Sequence, residues 1–127
     1  MVIGFPLVIN KKEIKPGVVV LEMVGRIVMG PDCARIEQEV DQLARQHDKH
    51  VIFDLTGISM IDSCGVGQIV KCFSSLKKSG KSLCLAGVNA MVGGVFKMTR
   101  VDQVIGIYPT AFEAAANSPA EGPDKLI

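Results

Sequence analysis

Apolar and polar positions fall into blocks whose period changes along the chain. Leu7 to Ile14 and Val18 to Gly25 read as two strands around Lys15-Pro16-Gly17, a turn signal in which Gly supplies the positive φ such turns need. The second block, VVVLEMVG, is almost continuously apolar, as expected of a strand covered on both faces. Gly30-Pro31-Asp32 announces a helix. Cys33, Ile36, Val40, Leu43 and Ala44 share one helical face, polar residues fill much of the rest, and the helix ends near Gln46. Val51 to Leu55 reads as a short buried strand, and Thr56 to Ile61 as a loop. Val66, Ile69, Val70, Phe73 and Leu76 then mark a second amphipathic helix, with Lys77 and Lys78 at its negative end and Gly80 as C-cap. Ser82 to Ala86 is the next strand. Val88, Met91, Val92, Val95 and Met98 trace a third helix up to about Thr99, despite Gly93 and Gly94. Val104 to Tyr108 is a last strand, and Thr110 caps a short Ala-rich helix running to about Asn117.

The resulting order, β-β-α-β-α-β-α-β-α, implies an α/β single domain over residues 1–117 with a mainly parallel sheet. If successive strands are neighbours, right-handed crossovers put the helices mostly on one face. The first strand, joined by a tight turn, becomes an antiparallel edge. Residues 118–127 carry two prolines and little to bury, so they read as a flexible tail.

Composition narrows the function. Hydrophobic residues make up 48% of 127 positions, enough for one core. Aromatic residues make up only 5%, so that core is aliphatic. A net charge of +1 without a basic block gives no footprint for nucleic acid. No apolar run approaches the roughly 18–20 residues that span a bilayer, and the first residues do not read as a signal peptide, so a cytoplasmic protein without membrane insertion is the expectation. Cys33, Cys64, Cys72 and Cys84 form no CxxC pair, and His47 and His50 are the only histidines; zinc spacing is absent, and neither a metal nor a cofactor is expected.

The chemistry concentrates in ISMIDSCGVGQIVKCF, residues 58–73, where Asp62-Ser63-Cys64-Gly65 opens a helix beyond the carboxyl end of a strand. The simplest reading is a helix cap by Asp62 or Ser63 and a tight turn. A second reading makes Ser63 a phosphorylation site. A phosphoryl group there would meet the unpaired N–H groups of a helix start, and would add about −1.5 to −2 charges beside Asp62 and the apolar pair Met60 and Ile61. Gly65 and Gly67 would let an enzyme approach the hydroxyl. Catalysis by Ser63 or Cys64 lacks a general base, because neither histidine lies in a triad pattern. Gly65-Val66-Gly67 is not a P-loop.

On these residues the chain resembles a STAS domain, the module of bacterial anti-sigma-factor antagonists and of sulphate-transporter tails, from about Leu7 to Ala116. The strongest block is HVIFDLTGISMIDSCGVGQIVKCF: an apolar strand ending in Asp54, then Asp62, Ser63, Cys64, Gly65, Val66 and Gly67, where the family carries Asp-Ser-Ser/Thr-Gly-Leu-Gly. The resemblance implies a non-enzymatic antagonist that binds an anti-sigma factor with serine kinase activity. It also implies that phosphorylation of Ser63 switches binding off and that a PPM-type phosphatase resets the switch. Two positions depart from the pattern. Cys64 replaces a second hydroxyl, and Val28 stands about where many phosphorylated members carry an acid; Asp32 is the nearest substitute. Asp54 is a further acid of the site, divided between loop hydrogen bonding and a site role. Two alternatives remain open: an unphosphorylated subunit of a transport or scaffold assembly, and a thiol redox sensor using Cys64.

Overall fold

A computed structural model of the chain describes residues 6–117. The predicted tail, 118–127, lies outside the described residues. The elements are β1 (Val8–Lys15), β2 (Val18–Ile27), α1 (Pro31–Ala44), β3 (His50–Ile61), α2 (Ser63–Lys78), β4 (Ser82–Ala86), α3 (Ala90–Met98), a 3-10 turn (Val101–Gln103), β5 (Ile107–Tyr108) and α4 (Ala111–Ala116). They build one sheet in the order β1-β2-β3-β4-β5. Only β1 runs antiparallel to its neighbour; the other pairs are parallel.

The two faces of the sheet are covered unequally. Val19, Leu21 and Met23 of β2 point to one face, where α1, α2 and α3 bury Ile36, Val40, Leu43, Ile69, Cys72, Leu76, Val92 and Phe96. Val18 and Val20 alternate to the other face and meet Ile52, Ala86 and the small residues Ala114 and Ala115 of α4. Both faces of β2 are therefore dry, which is why its sequence shows no polar alternation. Three helices share a face and α4 takes the other. β1 is a mostly exposed edge that carries Lys11, Lys12 and Lys15, charges that discourage pairing with another chain.

Several boundaries differ from expectation. Thr56 to Ile61 is not a loop; it continues β3 alongside β2, pairing Val24 with Gly57, Gly25 with Ile58, Arg26 with Met60 and Ile27 with Ile61. Register shifts between Glu22 and Val24 and between Gly25 and Arg26 break the two-residue alternation, so the strand cannot be seen as a period in sequence. β4 stops at Ala86 opposite Asp54. Past that point β3 has a free edge, and Asn89, the N-cap of α3, donates its side-chain N–H to Ile58 O at 3.1 Å. The last strand is only Ile107–Tyr108: Val101–Gln103 is wound into a 3-10 turn, with Ile105 N donating to Val101 O at 2.8 Å. The first helix ends at Ala44, two residues early. Met91 and Met98, which trace the apolar face of the third helix in sequence, are 62% and 84% exposed, because α3 turns Val92 and Phe96 inward instead.

Candidate functional site

The carboxyl ends of β2 and β3 lie side by side, and the chain leaves them in two loops that Asp62 ties together. Asp62 is extended (φ −108°) and caps α2: its Oδ1 accepts Gly65 N at 2.8 Å, and its main-chain O accepts Val66 N at 2.9 Å. Its other carboxylate oxygen, Oδ2, accepts Met29 N at 2.9 Å, across 33 residues of sequence. Its own N–H donates to Ile27 O at 3.2 Å. One side chain thus caps a helix and fixes the β2–α1 loop beside it.

These bonds hold the Asp62 carboxyl below its usual range; the Met29 N–H has the largest effect, and the Gly65 N–H adds to it against the opposing desolvation. The sign follows. A depressed carboxyl stabilises the folded chain at any pH above its unfolded value of about 3.9, and that stabilisation disappears as pH falls through the lower folded value. Asp62→Ala is expected to cost about 1–2 kcal/mol at neutral pH through the lost cap and tether. Chemical denaturation at several pH values should show the gap between wild type and variant closing on the acid side.

Gly65 is buried directly behind the cap. A Cβ at this position would lie 2.2 Å from Ile27 O, 2.8 Å from Ile61 Cγ1 and 2.9 Å from Ile27 Cγ2. Its role is therefore to let α2 start against the end of β2, and not to clear a path for an enzyme. Gly67 is different: it is exposed, and a Cβ there would meet nothing within 4 Å. Ser63 is the first residue of α2 and is exposed, as is Cys64. Met29, whose N–H is held by Asp62, is 73% exposed; Met60, two residues before Asp62 at the end of β3, is 42% exposed, and Val70 is exposed two turns into the helix. Ile61 does not join this apolar rim. It is 6% exposed, turned into the core opposite Ile27.

The other acids singled out in sequence have separate tasks. Asp32 Oδ2 accepts Leu7 N at 3.2 Å, and its Oδ1 pairs with Arg35 Nη1 at 3.2 Å. Arg35 also donates to Leu7 O, so this acid fastens the entry to β1. Asp54 Oδ1 accepts Thr56 N at 3.0 Å and the Thr56 hydroxyl at 2.6 Å, a local bond within β3 and not within the loop expected from the sequence. Neither carboxylate is bonded to Ser63. Val28 is half-buried, and its carbonyl accepts the Cys33 thiol at 3.3 Å.

Nucleophilic chemistry finds no support in this arrangement. His50 opens the 12-residue β3 and Asp62 follows its end, so the histidines lie at the far end of the sheet from Ser63 and Cys64. Burial pushes the Cys72 and Cys84 thiols up to about 11; burial, with Asp62, Cys64 and Asp32 nearby, also raises that of Cys33. Cys72 and Cys84 pack with the apolar core as small apolar groups, whereas the part-buried Cys33 thiol donates to Val28 O.

The family model for the STAS domain matches residues 11–114. The chain belongs to the STAS domain family. A protein of Thermotoga maritima described as a candidate anti-sigma factor antagonist is 30% identical over 74 residues; the match covers 58% of this chain and 66% of that protein's length. The crystal structure of an anti-sigma factor antagonist from Mycobacterium paratuberculosis superposes with a TM-score of 0.77 at 18% identity, covering 87% of this chain and 92% of that one. The Bacillus cell fate determinant SpoIIAA, solved in its phosphorylated form, gives 0.67 at 17% identity over 86% of this chain and 97% of that one. Both structures share the fold described above. Among the described residues, no helix of this STAS domain is long and apolar enough to cross a membrane.

Proposed function

We propose that this STAS domain is a regulatory binding module and not an enzyme. In this reading it is an anti-sigma factor antagonist of the cytoplasm that docks on an anti-sigma factor with serine kinase activity. Phosphorylation of Ser63 ends the docking, and a PPM-type phosphatase restores it. The observation that carries the proposal is the placement of Ser63: exposed at the first position of α2, beside the exposed Met29 and Met60, on a base made rigid by Asp62 and Gly65. A rigid base lets one modification change the surface and leave the fold as it is. The likeness to the candidate anti-sigma factor antagonist of Thermotoga maritima supports the same class of partner.

The direct test is incubation with the kinase partner and ATP followed by mass spectrometry. Wild type is expected to gain one phosphate, on Ser63, and Ser63→Ala none. If Ser63 stays unmodified while the two proteins still bind, the alternative of an unphosphorylated binding module, such as a subunit of a transport or scaffold assembly, is favoured instead. One observation favours that second reading: Val28 stands about where many phosphorylated family members carry an acid, and the nearest substitute, Asp32, is committed to Leu7 and Arg35.

A further inference from the structure

At the end of the sheet opposite Ser63, three side chains of metal-ligand type converge from two distant segments. Glu13 lies near the end of β1, while His47 and Asp48 lie in the loop between α1 and β3. Their donor atoms are all within 4.8 Å of one another. His47 Nε2 is 3.4 Å from Glu13 Oε2 and 3.7 Å from Asp48 Oδ1. Asp48 is the decisive member. It is only 5% exposed, and its Oδ1, aimed into the cluster, is buried without a hydrogen-bond partner. Buried carboxylate oxygens are ordinarily hydrogen-bonded, paired or bound to a metal.

We propose that Glu13, His47 and Asp48 form a surface site for a divalent transition-metal cation of the zinc type. The two separations from His47, 3.4 and 3.7 Å, are longer than a contracted ion pair and near those of ligands on one metal ion. Three ligands at about 2.0–2.2 Å from a tetrahedral ion hold their donor atoms roughly 3.3–3.6 Å apart. A charge-assisted hydrogen bond would instead contract to about 2.7–2.9 Å. One imidazole and two carboxylates match the borderline preference of zinc, and the two carboxylates balance its charge.

The scaffold holds the ligands in place. Lys49 N and His50 N both donate to Gly17 O at 2.9 Å, which ties the loop to the β1–β2 turn. Lys81 Nζ donates to Gln46 O at 2.6 Å and also to Asp48 O. A register shift between Glu13 and Lys15 bends β1 at the ligand-bearing residue. The Lys81 ammonium lowers the affinity below that of a closed four-ligand site, and the exposed faces of Glu13 and His47 leave the outer positions to water. A bound ion would fasten the edge strand to the α1–β3 loop.

Calorimetric titration of the full chain with zinc chloride tests this, alongside thermal melts with and without the ion. One equivalent of zinc is expected to bind and to raise the melting temperature. Replacing an outer partner of a metal site already costs about 10–100-fold in affinity, so His47→Ala and Glu13→Gln, which remove ligands, should each weaken binding at least about tenfold. Both alter exposed side chains and leave folding intact. Cys64→Ser, which removes the exposed thiol, should bind zinc as wild type does. Zinc binding that survives both ligand substitutions, binding that needs Cys64, or no saturable binding at all would each overturn the site.

Discussion

A phosphoryl group on Ser63 is expected to weaken docking of the kinase partner by more than about a hundredfold while barely moving the thermal midpoint of the domain. The modification adds about −1.5 to −2 charges to an exposed hydroxyl next to Asp62, whose backbone hydrogen bonds keep it ionised. Around it are Met29 and Met60, side chains that contribute to binding only when a partner covers them. A partner closing over this rim would have to desolvate a dianion beside a carboxylate. Unpaired or like charges at an interface cost several kcal/mol, and about 2.7 kcal/mol is a hundredfold. Within the domain the same phosphate sits at the start of α2, where the helix dipole favours anions by about 0.3–1 kcal/mol. That roughly offsets the repulsion from Asp62, so the fold is preserved. Ser63→Asp carries one charge on a shorter arm and should lose about tenfold. Ser63→Ala should bind as wild type, as measured by fluorescence anisotropy.

Gly65→Ala is expected to lower stability by about 2 kcal/mol, and the melting temperature by several degrees. Two effects oppose each other. Alanine improves helix propensity by about 1 kcal/mol. Against that, its Cβ would fall 2.2 Å from the Ile27 carbonyl, a backbone atom at the end of β2 that is held by the Asp62 N–H and cannot rotate away. Overpacking of this kind costs about 1–3 kcal/mol, and more where backbone must move. The clash wins, and it displaces the β2–α1 loop that carries Met29, so docking should weaken with stability. Gly67→Ala provides the contrast. Nothing lies within 4 Å of its Cβ, so helix propensity acts alone and the domain should be stabilised by up to about 1 kcal/mol. If a partner approaches the backbone of Gly67 closely, that same variant binds less well although it is more stable.

The succession of elements was legible because each long element repeats its apolar residues at its own period: Ile36, Val40 and Leu43 in α1, and Val66, Ile69 and Leu76 in α2, although Val70, read on the same face, is exposed and Cys72 is buried in its stead. A helix cap at Asp62 or Ser63 was legible, since the partner of a cap lies two or three residues away, and the bond from Gly65 N decides for Asp62. Its second bond, to Met29, was not, because nothing local encodes a contact across 33 residues. The same limit hid the purpose of Gly65: a sequence shows that a side chain is missing, but not the Ile27 carbonyl that requires its absence. Ile61 looked like a neighbour of Met60 on the surface. Adjacent strand residues face opposite ways, and only the pairing with β2 decides which of the two is buried. Glu13 and the His47-Asp48 pair meet through the hairpin and the α1–β3 loop, which no ligand spacing along the chain could reveal.

Charge on one side-chain oxygen is proposed to govern docking on an otherwise unchanged domain. The measurement that tests it most directly is the affinity of a single preparation for its kinase partner, taken before phosphorylation, after stoichiometric modification of Ser63, and again after phosphatase treatment. Binding that falls more than about a hundredfold and then returns, with an unchanged circular dichroism spectrum, is the predicted result. The same affinity in all three states would contradict it.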